Sequence, residues 1–346
     1  MTKAASLDSL LKEAFQSYRQ RLLRPYIPSL PPRNLSRLLF LNFIEIISLQ
    51  ERALLNRVSS SCQKGLTATR QGELGIASDH FLNARAHLES MDGGGRIAWL
   101  LGVSTYQPGI AYLELKNGLH EKSRERLDWA MNADLELELS GLLFMQVRRI
   151  QHGHNIARIE FSLGKRFVAI ELVGEIIAYT EGKINKLNYH HDWRPKSLQE
   201  VPRETLWLLM REIVGETAGR IVAGSSPEEE WSTLIETARL IQRSDTKSFP
   251  QVHYALTAQS KRLSNEPEHY LRNLISFFQT DIRYCHLLWQ ALMLDFAKFC
   301  KYQDTSDSQR ILEIVKRDSA KWKGTPPILR DFFTDDQAKN YCSSDS

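Results

Sequence analysis

The sequence predicts an all-α protein: a solenoid of repeated helical hairpins, with N-terminal capping helices before it and a C-terminal helical bundle after it. Three observations predict this. Segments 65–72 (GLTATRQG), 111–118 (AYLELKNG) and 157–164 (ARIEFSLG) share a small residue, six intervening positions and a closing glycine. The closing glycines, Gly72, Gly118 and Gly164, are 46 residues apart both times. Small or apolar residues recur five, nine and twelve positions after each: Ala77, Phe81 and Ala84, then Ser123, Leu127 and Ala130, then Ala169, Val173 and Ile176.

The physical reading of this unit is a helix pair. The small residue lets a second helix cross closely. The glycine ends the first helix because it accepts a left-handed backbone. The second helix returns antiparallel with an apolar face of its own. One hairpin cannot cover that face, so copies must stack.

On these residues the chain resembles the tetratricopeptide-repeat family. The third copy, 155–179, matches best through Leu163, Gly164 and Ala169, and the first through Gly65, Gly72, Ala77, Phe81 and Ala84. The second departs at Ser123, where alanine is usual. The interval also departs: that family repeats every 34 residues, whereas arrays of the HEAT type repeat every 40–47. The extra residues are expected either to lengthen both helices or to sit near Gly93, Gly94 and Gly95.

Around the repeats, the expected segments are N-terminal helices with a proline-rich connector (1–58), the repeats (59–182), a loop (183–204), the C-terminal bundle (205–334) and a flexible tail (335–346). Residues 5–24 read as an amphipathic helix with Leu7, Leu10, Leu11, Ala14, Tyr18 and Leu22 on one side. Pro25, Pro28, Pro31 and Pro32 remove amide donors and end it. A strongly apolar helix is expected from Asn34 or Ser36 to about Val58, capping the array. Further on, 205–222 reads as a helix. Ser226, Pro227 and Glu229 form a helix-start signature of the capping-box kind. The longest helix is expected over 266–302, where Leu271, Ile275, Phe278, Ile282, Cys285, Trp289, Leu292, Phe296 and Phe299 alternate spacings of four and three. Three Phe and a Trp in that seam favour a bundle interior over a two-stranded zipper; a homo-oligomer through these helices is the alternative. A last helix is expected over 308–321.

A net charge of +4 over 346 residues does not by itself argue for nucleic acid. Residues 1–60 hold nine Lys or Arg against four Asp or Glu, with Arg19, Arg21, Arg24, Arg33 and Arg37 in the first part. Basic residues beside aromatics can bind phosphates, but a solvated face is the preferred reading. Cys62, Cys285, Cys300 and Cys342 lack metal-ligand spacing and give no disulfide framework. Cys62 and Cys285 fall in apolar helical patterns and read as reduced core thiols of a cytoplasmic protein. The N-terminus has no apolar signal core. The longest apolar run, 38–49, is too short to span a bilayer and includes Asn42 and Glu45.

No catalytic residues, metal site or cofactor are predicted. His152 and His154 precede Glu160; His190, His191 and Asp192 lie in the long loop; Glu266 and His269 form one Glu-x-x-His pair. Helical di-iron sites need two such pairs, so the preferred reading of each His is a satisfied polar residue. A metal-dependent bundle enzyme and a peptide-sensing regulator remain alternatives. Binding is the favoured function: an adaptor or scaffold for another protein or an acidic peptide. By the family resemblance, partners contact exposed positions of the first helices, here Thr69, Arg70, Tyr112, Lys116, His154, Arg158 and Phe161. Arg and Lys suit carboxylates, and Tyr112 and Phe161 would be anchors. The carboxylate-clamp residues of chaperone-binding relatives have no counterparts here.

Overall fold

In the computed structural model, residues 6–22, 47–91, 94–239, 250–280, 285–303, 306–322, 325 and 329 are described. They are helical with no strand among them. In chain order the helices are α1 (Leu7–Leu22), α2 (Leu49–Gln71), α3 (Leu74–Glu89), α4 (Arg96–Lys116), α5 (His120–Leu139), α6 (Met145–Ser162), α7 (Arg166–Thr180), α8 (Pro195–Gln199), α9 (Arg203–Val222), α10 (Pro227–Thr237), α11 (Pro250–Leu263), α12 (Pro267–Gln279), α13 (His286–Lys301) and α14 (Ser306–Ser319). Two compact units result, one of 32–206 and one of 1–31 with 207–346.

In the 32–206 unit, helices follow one another as pairs: α2 with α3, α4 with α5, α6 with α7. The first helix of each pair ends on the expected glycine. Gly72, Gly118 and Gly164 have φ of 81°, 75° and 75°. At each corner the glycine N–H donates three residues back, to Thr69, Leu115 and Phe161. The next N–H donates five residues back, to Ala68, Glu114 and Glu160, at 2.9 Å each time. These two bonds satisfy carbonyls that a helix end leaves without partners. Gly141 and Gly182 close α5 and α7 with the same pair of bonds. The residues five, nine and twelve positions after the repeat glycines are all at most 2% exposed.

The small residues act as expected. A Cβ at Gly65 would stand 2.8 Å from the Phe81 ring, and one at Gly109 would stand 2.7 Å from it, so Phe81 of α3 lies between glycines of α2 and α4. Ser123 replaces an alanine without loss, because its buried hydroxyl donates to the carbonyl of Ala111 at 2.8 Å.

Several expectations are corrected. No separate helix ends at Val58. Instead α2 starts after Ser48, whose hydroxyl accepts from the Glu51 N–H while Glu51 accepts from the Ser48 N–H, and it runs unbroken to Gln71. Apolar content concealed that stop, since a capping box is polar. The 266–302 helix is two helices. Thr280 ends α12 in an extended conformation, with its N–H and hydroxyl both turned back to the Phe277 carbonyl. Such a local side-chain bond competes with helix continuation. Most of the described seam residues are buried all the same, with Leu271, Phe278, Leu292 and Phe296 at 0%, while Phe299 is half-buried. Ser226 precedes α10 without a side-chain capping bond. The proline-rich connector at 25–32, the apolar run up to residue 46, Gly93, Ile282 and the tail from 335 lie outside the described residues.

In the other unit α1 packs on α12 and touches α14, and α13 packs on α14. Leu10, Leu11, Ala14 and Tyr18 of the predicted α1 face are buried. Tyr18 stacks on Trp289 at 5.2 Å, and Trp289 meets Trp322 at 5.2 Å. Cys62, Cys285 and Cys300 are buried thiols, and burial pushes those of Cys62 and Cys300 up to about 12. Among the described residues no helix is long and apolar enough to cross a membrane.

The two kinds of glycine separate experimentally. Gly65→Ala is expected to lower the unfolding free energy by about 1–3 kcal/mol through overpacking. Gly72→Ala, in open space, is expected to lower it by about 1–2 kcal/mol through its left-handed backbone. In urea titrations a Phe81→Leu background should relieve the first and leave the second unchanged; an unaltered midpoint for Gly65→Ala would contradict the packing described.

Candidate functional site

The residues expected to face a partner divide by exposure. Arg70 and Lys116 are exposed at the last turns of α2 and α4. Tyr112 is half-buried with the Lys116 ammonium 5.6 Å above its ring. Arg158 is half-buried and donates to the Asn155 side chain at 2.7 Å. Phe161 is half-buried beneath the Arg166 guanidinium, 5.6 Å from its ring centre. His154 and Thr69 are corrections: each is 2% exposed. Thr69 turns its hydroxyl to the Gly65 carbonyl. His154 is buried because α6 is enclosed by α5, α7, α8 and the segment leading into α8.

That enclosure brings together charged side chains largely shielded from solvent: Asp134 and Arg149 at 0% exposed and Arg148 at 14%. Pro108 lies inside α4 and has no N–H for the carbonyl of Ser104, four residues earlier. Arg148 of α6 donates Nη2 to that carbonyl instead. The Ser104 hydroxyl donates to Asp134 Oδ1 on α5. Asp134 Oδ2 lies 3.1 Å from His152 Nε2 and 3.9 Å from Arg148 Nε. Ser104 and Asp134 are 0% exposed and His152 is 2%. Burial holds the His152 imidazole below its ordinary range; Asp134 opposes this and Arg148 adds to it.

One turn away a second cluster forms around Arg149, which is 0% exposed. Its Nη1 donates to Glu138 Oε2 at 2.9 Å and to the Asp192 carbonyl at 3.2 Å. Its Nη2 donates to the His191 carbonyl at 2.5 Å and lies 3.0 Å from His190 Nδ1. Trp193 covers the guanidinium at 4.3 Å. Gln146 Nε2 donates to the Arg194 carbonyl at 2.8 Å. Tyr189, half-buried, seats on Gly153, where a Cβ would come within 2.2 Å of the ring. The 188–194 loop is therefore a lid fastened to α6. Its stacked His190 and His191 rings serve that closure, with centroids 4.3 Å apart. Burial, then Arg149, brings His190 down to about 4.

Chemically, this arrangement holds charge without exposing it. Losing one partner of such a buried pair costs about 3–5 kcal/mol, because the other charge is stranded. Perturbed titrating groups mark reaction sites when they line a cleft. Here they fill the space between helices. In the other unit Glu266 does meet His269, at 3.1 Å, but Lys261 occupies the same carboxylate at 2.9 Å. Among the described residues no group of three His, Cys, Asp or Glu is arranged to hold a metal ion.

Sequence reasoning missed Pro108, Asp134, Glu138, Arg148 and Arg149. The available signals were a proline within an otherwise helical apolar segment and acids four residues apart among Ala133, Leu135 and Leu137. No protein-family model, curated protein or solved structure matches this chain.

Two measurements test the clusters. If Arg148 replaces the amide that Pro108 lacks, the effects of Pro108→Ala and Arg148→Met are non-additive: the double variant loses about 0.5–3 kcal/mol less than the sum of the singles. Additive losses in urea titrations would exclude that coupling. The second is pH dependence. His152 and His190 stay neutral in the fold, whereas the unfolded chain binds protons below about 6.5. Their contribution is fully present above that pH and falls as pH drops, down to about 4 for His190. Unfolding free energy should therefore decline from pH 7 to pH 5, and decline less in His152→Gln with His190→Gln; identical slopes would refute the assignment.

Proposed function

We propose that the chain is a helical-repeat adaptor of the tetratricopeptide-like kind, which binds another protein or an acidic peptide on its repeated segment. One observation carries the reading: three corners 46 residues apart share the same left-handed glycine and the same two backbone bonds, each followed by the same buried positions. Helices of 15–23 residues fill the interval, so the longer repeat reflects longer helices.

The contact surface comprises Arg70, Tyr112, Lys116, Arg158 and Phe161. Lys116 above Tyr112 and Arg166 above Phe161 each pair a cation with an aromatic ring, so one contact supplies both apolar area and a positive charge for a carboxylate. The enclosed Asp134 and Glu138 clusters support the same reading, since they stiffen the hairpins. A rigid surface loses less entropy when a partner docks.

The test is a quantitative pull-down with the full chain as bait, beside Arg70→Glu with Lys116→Glu. Both residues are exposed, so circular dichroism and melting temperature should be unchanged. Partners of the wild-type chain should be depleted roughly tenfold or more by the reversed charges, the loss expected when charge-assisted bonds are removed. An identical partner set at equal yield from the folded variant would overturn the proposal.

A further inference from the structure

The unit containing α1 and α14 has an open surface cleft of about 660 Å³, lined by the exposed Arg19, Arg310, Glu313 and Arg317 and the half-buried Ile314. The four α14 residues occupy positions i, i+3, i+4 and i+7 and so share one helix face. Arg19 reaches the same space from α1. Arg19 is one of the basic residues that stand out in the N-terminal sequence; the tertiary structure gives it two arginine neighbours from nearly 300 residues later in the chain.

Three guanidinium groups around one cleft repel each other unless something answers them. Among the described residues, Arg19 and Arg310 form no ion pair, and Arg317 has only a 3.8 Å contact from its Nε to Asp318 while its side chain stays 65% exposed. The lining residues carry an excess of two positive charges over Glu313. The helices beneath are fixed where the cleft begins and ends. Lys12 pairs with Asp307 at 3.0 Å, and the Tyr18 hydroxyl donates to Asp318 at 3.5 Å. The two helices that carry the arginines are thus held together before any ligand arrives.

We propose that this cleft binds a phosphorylated polyol, a sugar or inositol phosphate, either free or as a lipid headgroup. Guanidinium forks match phosphate oxygens two bonds at a time. Glu313 accepts hydroxyl donors, which a polyol has and bare phosphate lacks. Ile314 supplies apolar contact for a ring face. A nucleic-acid backbone would need a track of charge along the surface instead of one concavity. The site is independent of the repeat surface proposed above.

The experiment is calorimetric titration of the full chain with inositol hexakisphosphate and with pyrophosphate, beside co-sedimentation with vesicles containing phosphatidylinositol bisphosphate. Wild-type chain should bind the inositol phosphate, the vesicles or both. Soluble binding alone identifies a free ligand, and vesicle binding alone identifies a headgroup. Arg310→Gln with Arg317→Gln should weaken binding roughly tenfold or more, and Arg310→Lys with Arg317→Lys should weaken it less, because charge remains without the fork. Glu313→Gln should strengthen pyrophosphate binding by removing repulsion, with no equal gain for the inositol phosphate. Absence of binding in both arms, equal binding by the folded Gln variant, or equal affinity for a single-stranded RNA of matched charge would overturn the proposal.

Discussion

A helix end leaves carbonyls without partners, and a chain that reverses direction in a few residues must satisfy them on the spot. Only a residue that accepts positive φ allows the two back-turned amide bonds that do so. Gly72, Gly118 and Gly164 meet that demand with nearly the same φ, and Gly141 and Gly182 repeat it at the intervening ends. Each corner sets the direction in which the next helix returns. The face of α3, α5 or α7 that meets its predecessor follows from that direction, and so does the burial of Phe81, Leu127 and Val173.

A second demand comes from within the helices. Pro108 interrupts the hydrogen-bond ladder of α4 where water cannot enter, and Arg148 supplies the missing donor. That choice brings a guanidinium inside, beside the Asp134 carboxylate, which also meets the Ser104 hydroxyl and the imidazole of a neutral His152. Arg149, on the next residue, faces another way and uses its donors to close the 188–194 loop over α6. Buried charge here is an architectural device. It fixes the third hairpin and the lid together, while the cations over aromatic rings, Lys116 over Tyr112 and Arg166 over Phe161, lie outside this enclosure.

The repeat was legible in the sequence because its determinants are local. A glycine corner involves residues within five positions of one another, and the apolar positions after it follow the helical period. The α12–α13 seam shows the limit of that kind of reading. Its spacing of four and three predicted which side chains are buried, yet it could not register that Thr280 breaks the helix, since the bonds to Phe277 leave the apolar pattern untouched. The start of α2 was hidden for the same reason: Ser48 and Glu51 carry a polar signal inside an apolar stretch. Among the residues expected from the sequence to face a partner, Arg70 and Lys116 are exposed, whereas His154 is buried, because exposure depends on how many neighbours a helix acquires.

The sequence by itself therefore determined the helical class, the glycine corners and most of the buried apolar positions, all of which depend on short-range periodicity and backbone freedom. Tertiary structure alone decided that Arg148 answers the proline gap from 44 residues away, that Arg149 holds a loop more than 40 residues later, and that Arg19 shares a cleft with Arg310 and Arg317. Those pairings join groups whose separation along the chain has no period. They exist because a buried charge or an unpaired carbonyl must find whatever partner the packing of helices brings within reach.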